Sequence, residues 1–165
     1  MIKNIIFDLC GPIISIDVNL ISEYFKYASV KVENPYKLLC DSGLTKKFER
    51  GEISFGIFCK EVRHHLNNKN LSQGAIVNAW NNLIVDFPES HISLLKQVHN
   101  NYKTFILSNS DMVNAVYFHH FLNTSADDMF CEKYFNEVVF SHTISHRKPE
   151  KEAFDYIFSR HGIIP

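Results

Sequence analysis

The run Ile2-Lys3-Asn4-Ile5-Ile6-Phe7 is short, mostly apolar and rich in β-branched side chains. Such a run suits a strand buried on both faces of a parallel sheet. It stops abruptly at Asp8-Leu9-Cys10-Gly11-Pro12. In open α/β sheets, ligands bind just beyond the carboxyl ends of the strands, so Asp8 is a site candidate by position. The plainer reading of the same stretch is an Asp that merely opens the Gly-Pro turn.

Helical signals follow. An apolar stripe of Leu20, Ile21, Tyr24, Phe25 and Tyr27 predicts a helix over 19–28. Short helices are expected over 36–40, stopped near Gly43, and over 44–50, stopped by Gly51. Ser54 and Ser72 are placed to cap two more, with Phe55, Phe58, Val62 and Leu66 on the first and Ile76, Val77, Trp80 and Leu83 on the second. From about 17 to 88 the chain reads as nearly all helix, with no second strand before about Lys103. A simple βαβ unit needs one crossover helix, so this excess predicts a separate helical cap over the strand ends; a larger single layer of helices packed on the sheet is the alternative.

Beyond it, Pro88 and Glu89 open a helix that ends at Asn100-Asn101. A second core strand is expected over 102–107, and Asp111 is placed to cap the next helix. Residues 123–128 read as a polar loop, 130–135 as a helical turn and 137–141 as a third strand; Pro149 begins a last helix, ended by Gly162. The fold class predicted is α/β: a Rossmann-like parallel core from residues 1–16 and 89–165, and an all-helical cap from 17–88.

Two later stretches repeat the pattern around Asp8. Thr104-Phe105-Ile106-Leu107-Ser108-Asn109-Ser110-Asp111 is again an apolar strand ending in small polar residues, and His146-Arg147-Lys148-Pro149-Glu150 puts a Lys just before a helix start. Free N–H groups at a strand-to-helix turn suit anion binding, which favours Ser108, although small polar residues also populate ordinary turns. A cation before a helix N-terminus opposes the helix dipole, so Lys148 makes sense beside an anion; an ordinary solvated Lys is the alternative.

An Asp, a Ser and a Lys in this order resemble the motifs of the haloacid dehalogenase-like hydrolase superfamily. Phe48-Glu49-Arg50-Gly51-Glu52-Ile53-Ser54 resembles the helical cap of its sugar-phosphatase branch. The resemblance implies a Mg²⁺-dependent phosphatase of small phosphorylated metabolites, sugar phosphates among them, working through an aspartyl-phosphate. It implies Asp8 as nucleophile and metal ligand, the main-chain carbonyl of Cys10 as a second ligand, Ser108 and the backbone around Asn109 on the phosphate, and Lys148 as the neutralising cation. Two other readings stay open: a 2-haloacid dehalogenase, in which the same Asp attacks carbon, and a non-catalytic binding protein.

Two departures bear on these roles. Most phosphatases of the superfamily carry a second Asp two residues after the nucleophile, as general acid and base; here Cys10 stands there, and a neutral thiol donates protons poorly to an alkoxide. The superfamily's last motif, an apolar strand ending in paired acids that complete the metal site, is expected just after Ile163-Ile164-Pro165, where the sequence stops. The expectation is therefore weak Mg²⁺ binding and little turnover by this chain. It includes an exposed edge on the first strand through which the chain self-associates.

Composition narrows the partners. Seventeen Lys and Arg against 18 Asp and Glu give a net charge of -1, which advertises neither nucleic acid nor an anionic membrane. No apolar run reaches membrane-spanning length and no signal peptide stands out, so the expected location is the cytoplasm. Cys10, Cys40, Cys59 and Cys131 contain no C-x-x-C pair. His64-His65 and His119-His120 are adjacent pairs whose members point apart on a helix, which is poor geometry for chelation. No G-x-G-x-x-G, Walker A or G-x-S-x-G sequence occurs.

Overall fold

The computed structural model describes residues 2–28, 31–125 and 129–164. Three parallel strands form the core sheet: β1 (Asn4–Phe7), β4 (Lys103–Ser108) and β5 (Glu137–Phe140), in the order β1-β4-β5. Asn4 to Phe7 align with Lys103 to Ile106, and Phe105 to Ser108 with Glu137 to Phe140. β4 is central and buried on both faces, as its unbroken apolar run demands. Strand periodicity then sorts its side chains. Phe105 and Leu107 face Ala153 and Ile157 of α10 (Lys151–His161). Ile106 faces the main cluster, which includes Leu95 of α6 (Glu89–His99), Phe118 and Leu122 of α7 (Met112–Ser125), and Phe130 of α8 (Phe130–Tyr134). Among the described residues nothing pairs with the other edge of β1, where an open groove of about 580 Å³ runs between the strand and Phe158, Ile163 and Ile164.

Among the described residues, five helices lie between β1 and α6: α1 (Asn19–Tyr27), α2 (Pro35–Asp41), α3 (Leu44–Glu49), α4 (Phe55–His65) and α5 (Gln73–Asn81). Their starts follow local rules. Ser54 and Ser72 accept from the amides of Ile57 and Ala75, and Asn34 accepts from Lys37 N with Pro35 in the first turn of α2. Gly43 and Gly51 end the preceding elements with positive φ. Inside the bundle Phe48 stacks on Phe58 at 4.0 Å between ring centroids, and Phe58 meets Trp80 edge-on at 4.9 Å.

Four expectations are corrected. A second, two-stranded antiparallel ribbon pairs β2 (Ser15–Ile16) with β3 (Ile84–Asp86), so strands precede Lys103 and the 17–88 stretch is not uniformly helical. Asn123–Ser125 belong to the end of α7 rather than to a polar loop; 126–128 lie outside the described residues. Ser141 starts the short α9 (Ser141–Ile144) instead of ending a strand. The last helix begins at Lys151 with Glu150 at its N-cap, not at Pro149. Each miss concerns a very short element or the end of a longer one, and periodicity fixes neither well.

The ribbon marks where the chain leaves the sheet for the helices and where it returns. A second seam joins the helices to the core. Glu49 Oε2 lies 2.8 Å from Arg147 Nε, and Arg50 pairs with Glu150. Ser141 Oγ donates to Glu49 O at 2.6 Å. The closeness of this seam explains Gly51: a Cβ there would stand 2.7 Å from the carbonyl oxygen of His142.

Candidate active site

β1, β4 and the approach to α10 deliver three side chains to one place. Asp8 follows the last residue of β1, and its Oδ1 accepts from Leu9 N at 2.8 Å. Lys148 Nζ lies 2.7 Å from that same oxygen. The ammonium is buried, and among the described residues no acceptor is aligned with it for a hydrogen bond, Asp8 included. It is an ion-pair partner with unspent donors, a state that costs free energy unless another anion approaches. Asn109 fixes the lysine from below: its Oδ1 accepts from Lys148 N at 2.7 Å and its Nδ2 donates to Lys148 O at 3.0 Å. The Asn109 side chain is thus spent on Lys148, and its main chain is what remains for a substrate.

Ser108 closes β4, almost wholly buried, with its Oγ 2.8 Å from Ser110 Oγ. Ser110 N donates to Ser141 Oγ at 3.0 Å. Asp111 Oδ1 caps α7 by accepting from Val113 N and Asn114 N, while its Oδ2 accepts from Trp80 Nε1 at 2.6 Å. Burial raises the Asp111 carboxyl above the usual carboxylate range, against the pull of these donors.

Asp8, Cys10, Ser108 and Asn109 share a cavity of about 150 Å³ with Glu49, Tyr36 and Trp80 from the helical cap. That is small beside typical ligand clefts of ~300–1,000 Å³. Burial and the neighbouring Asp8 charge push the Cys10 thiol up to about 12, so it is neutral at physiological pH. Burial also raises Glu49, offset in part by Arg147. Glu49, Arg147, Tyr36 and Trp80 were missing from the sequence-derived site. The stretch holding Glu49 stood out, but its partner Arg147 is 98 residues away. The histidine pairs lie elsewhere, His119 with Glu132 at 3.0 Å. Among the described residues no group of three or more His, Cys, Asp or Glu side chains gathers as a ready-made metal site.

Comparison with known proteins gives this geometry a context. No family model matches the chain. A D-ribitol-5-phosphate phosphatase from Bacteroides thetaiotaomicron is 23% identical over 168 residues, covering 100% of this chain and 80% of that protein. A haloacid dehalogenase family enzyme from the same organism, solved in complex with magnesium and inorganic phosphate, superposes with a TM-score of 0.85 at 27% identity over 99% of this chain and 80% of its own. In sequence and in fold the chain is similar to enzymes of the haloacid dehalogenase family. Within the superfamily, the L-2-haloacid dehalogenase of Xanthobacter autotrophicus is more distant, with a TM-score of 0.63 and 16% identity over 100% of this chain and 67% of its own, a likeness of fold alone. The more similar of these relatives is the one solved with magnesium and inorganic phosphate.

Proposed function

We propose that the chain is a Mg²⁺-dependent phosphatase of small phosphorylated metabolites that forms a phosphoaspartyl intermediate on Asp8. The observation that carries this is the buried Lys148 ammonium, 2.7 Å from Asp8 and with donors to spare. It holds the carboxylate in place and offers positive charge where an incoming phosphate needs it. An Asp8 carboxylate oxygen bonds to phosphorus as the bond to the leaving oxygen breaks, and the leaving alkoxide takes up a proton. Water then attacks the acyl phosphate, releasing inorganic phosphate and restoring Asp8. Ser108 and the main chain at Asn109 hold the phosphate oxygens.

The residues present fit Mg²⁺ of the superfamily's kind. This ion takes one or two carboxylates and completes its shell with water and substrate phosphate, so a three-ligand protein cluster is not required. Asp8 Oδ2 has no partner among the described residues, and with the main-chain carbonyl of Cys10 it would hold the ion. Bound there, Mg²⁺ would supply charge neutralisation between two anions. With this reading go a cap spanning 17–88, a cytoplasmic location and self-association along the free edge of β1; among the described residues no helix is long and apolar enough to cross a membrane.

The test is hydrolysis of p-nitrophenyl phosphate with and without Mg²⁺, beside Asp8→Asn. Mg²⁺-dependent release of phosphate is expected, slow and needing high Mg²⁺ as the weak metal binding predicts, and abolished in Asp8→Asn. Chloride release from 2-chloropropionate without phosphatase activity would transfer the site to dehalogenase chemistry, and activity towards neither by a folded protein would favour a binding role.

A further inference from the structure

We infer that Glu49 accepts a hydrogen bond from a hydroxyl group of the substrate, and so selects hydroxylated phosphate monoesters, polyol or sugar phosphates, over bare alkyl phosphates. The inference rests on the phosphatase reading and goes on to name the residue that reads the organic half of the substrate.

Glu49 is held from three directions. Phe48, beside it in sequence, stacks on Phe58. Its own carbonyl accepts from Ser141 Oγ at 2.6 Å. One carboxylate oxygen, Oε2, accepts from Arg147 Nε at 2.8 Å. The other, Oε1, has no hydrogen-bond partner among the described residues, although the side chain is largely buried and lines the same cavity as Asp8 and Ser108. An oxygen that no protein group claims, on the wall of the cavity and within reach of solvent, is free to accept from a donor that the substrate brings. Burial raises the carboxylate's proton affinity despite the arginine.

The rest of the wall sharpens the assignment. Trp80 Nε1 and Asp111 are spent on each other, and the Asn114 amide donates to Trp80 O and Asn81 Oδ1. Apart from Asp8, which belongs to the phosphate end, Glu49 is the charged acceptor with an unclaimed oxygen on this wall. The cavity of about 150 Å³ keeps the organic group small and close to it. A site that satisfies its own polar group with a substrate hydroxyl discriminates against an analogue lacking that hydroxyl, because the group is then left unpaired.

The test compares kcat/KM for ribitol 5-phosphate and for pentyl phosphate in the wild type and in Glu49→Ala and Glu49→Gln. The wild-type preference for the polyol ester should fall about 10- to 100-fold in Glu49→Ala, the loss expected for a hydrogen bond to a charged group, with partial recovery in Glu49→Gln, which keeps an acceptor. Calorimetric affinities of both esters for Asp8→Asn, with and without Glu49→Ala, read the same ratio without turnover. An unchanged ratio, with both esters weakened equally, would overturn the inference and leave Glu49 as a cap-to-core tie, the phosphatase reading standing. Failure of the wild type to hydrolyse either ester would sink the phosphatase reading and this inference with it.

Discussion

Cys10 occupies the position where most phosphatases of the superfamily have a second carboxylate, and its environment explains what the change does. Burial and the Asp8 charge hold the thiol at about 12, so it neither accepts nor donates a proton readily during turnover. A carboxyl in the same place would also be pushed upward, which is what a general acid at neutral pH needs. Cys10→Asp is therefore expected to raise kcat at least tenfold for alkyl phosphates, whose leaving groups need a proton, and to change little for p-nitrophenyl phosphate, whose leaving group does not. Stopped assays with both substrates check this. At this scale the sequence singles out Asp8, Ser108 and Lys148, which the fold gathers in one place, because each sits at a strand or helix end that residue type and order mark out. It was a poor guide to Glu49. An ion pair across 98 residues leaves no local trace, and an acid in a helix reads as a solvated charge.

Among the elements, the turn after α3 makes the sharpest prediction. Gly43 and Gly51 both have positive φ, at +77 and +68 degrees. Nothing stands within 4 Å of a Cβ added at Gly43, whereas at Gly51 the carbonyl oxygen of His142 would be 2.7 Å away. Gly43→Ala should cost about 1–2 kcal/mol, the strain of a left-handed Ala alone. Gly51→Ala should cost roughly twice that, since the turn must also back away from α9. Urea unfolding of the two variants gives the comparison, and an equal loss in both would mean that the seam is looser than it looks. Helices with a capping Ser or Asn were legible to within a residue or two, because the cap is a local device. The ribbon of β2 and β3 was not: strands this short owe their existence to each other, not to their own sequence.

For the molecule as a whole, α/β class and helical insert could be read from the order of strands and helices, because the six helices described between β1 and β4 are more than one crossover needs, and those before α6 must cover something besides the sheet face. The response to pH could not, since it depends on burial. Asp111 and Glu49 both have carboxyl groups raised by desolvation. In the window from the unfolded carboxylate value up to the raised native one, the native state binds more protons, so stability falls as pH rises through it. Glu150 and Glu132 are lowered, chiefly by Arg50 in the first case and a backbone amide in the second, so their contribution is lost as pH falls. The wild type should show a shallow decline in urea midpoint above the ordinary carboxylate range, and Asp111→Asn should flatten that slope while lowering the midpoint through its disturbed contact with Trp80.

The ribbon also has a mechanical meaning. The chain crosses from sheet to helices at Ser15–Ile16 and comes back at Ile84–Asp86, and these crossings are hydrogen-bonded to one another. Two independent tethers would let the helical part slide, tilt and twist over the sheet. Strands zipped together act as a single strap, which leaves chiefly a swing about one axis. The Glu49–Arg147 and Arg50–Glu150 pairs then serve as a clasp, and a clasp made of charges loosens in salt while the strap does not.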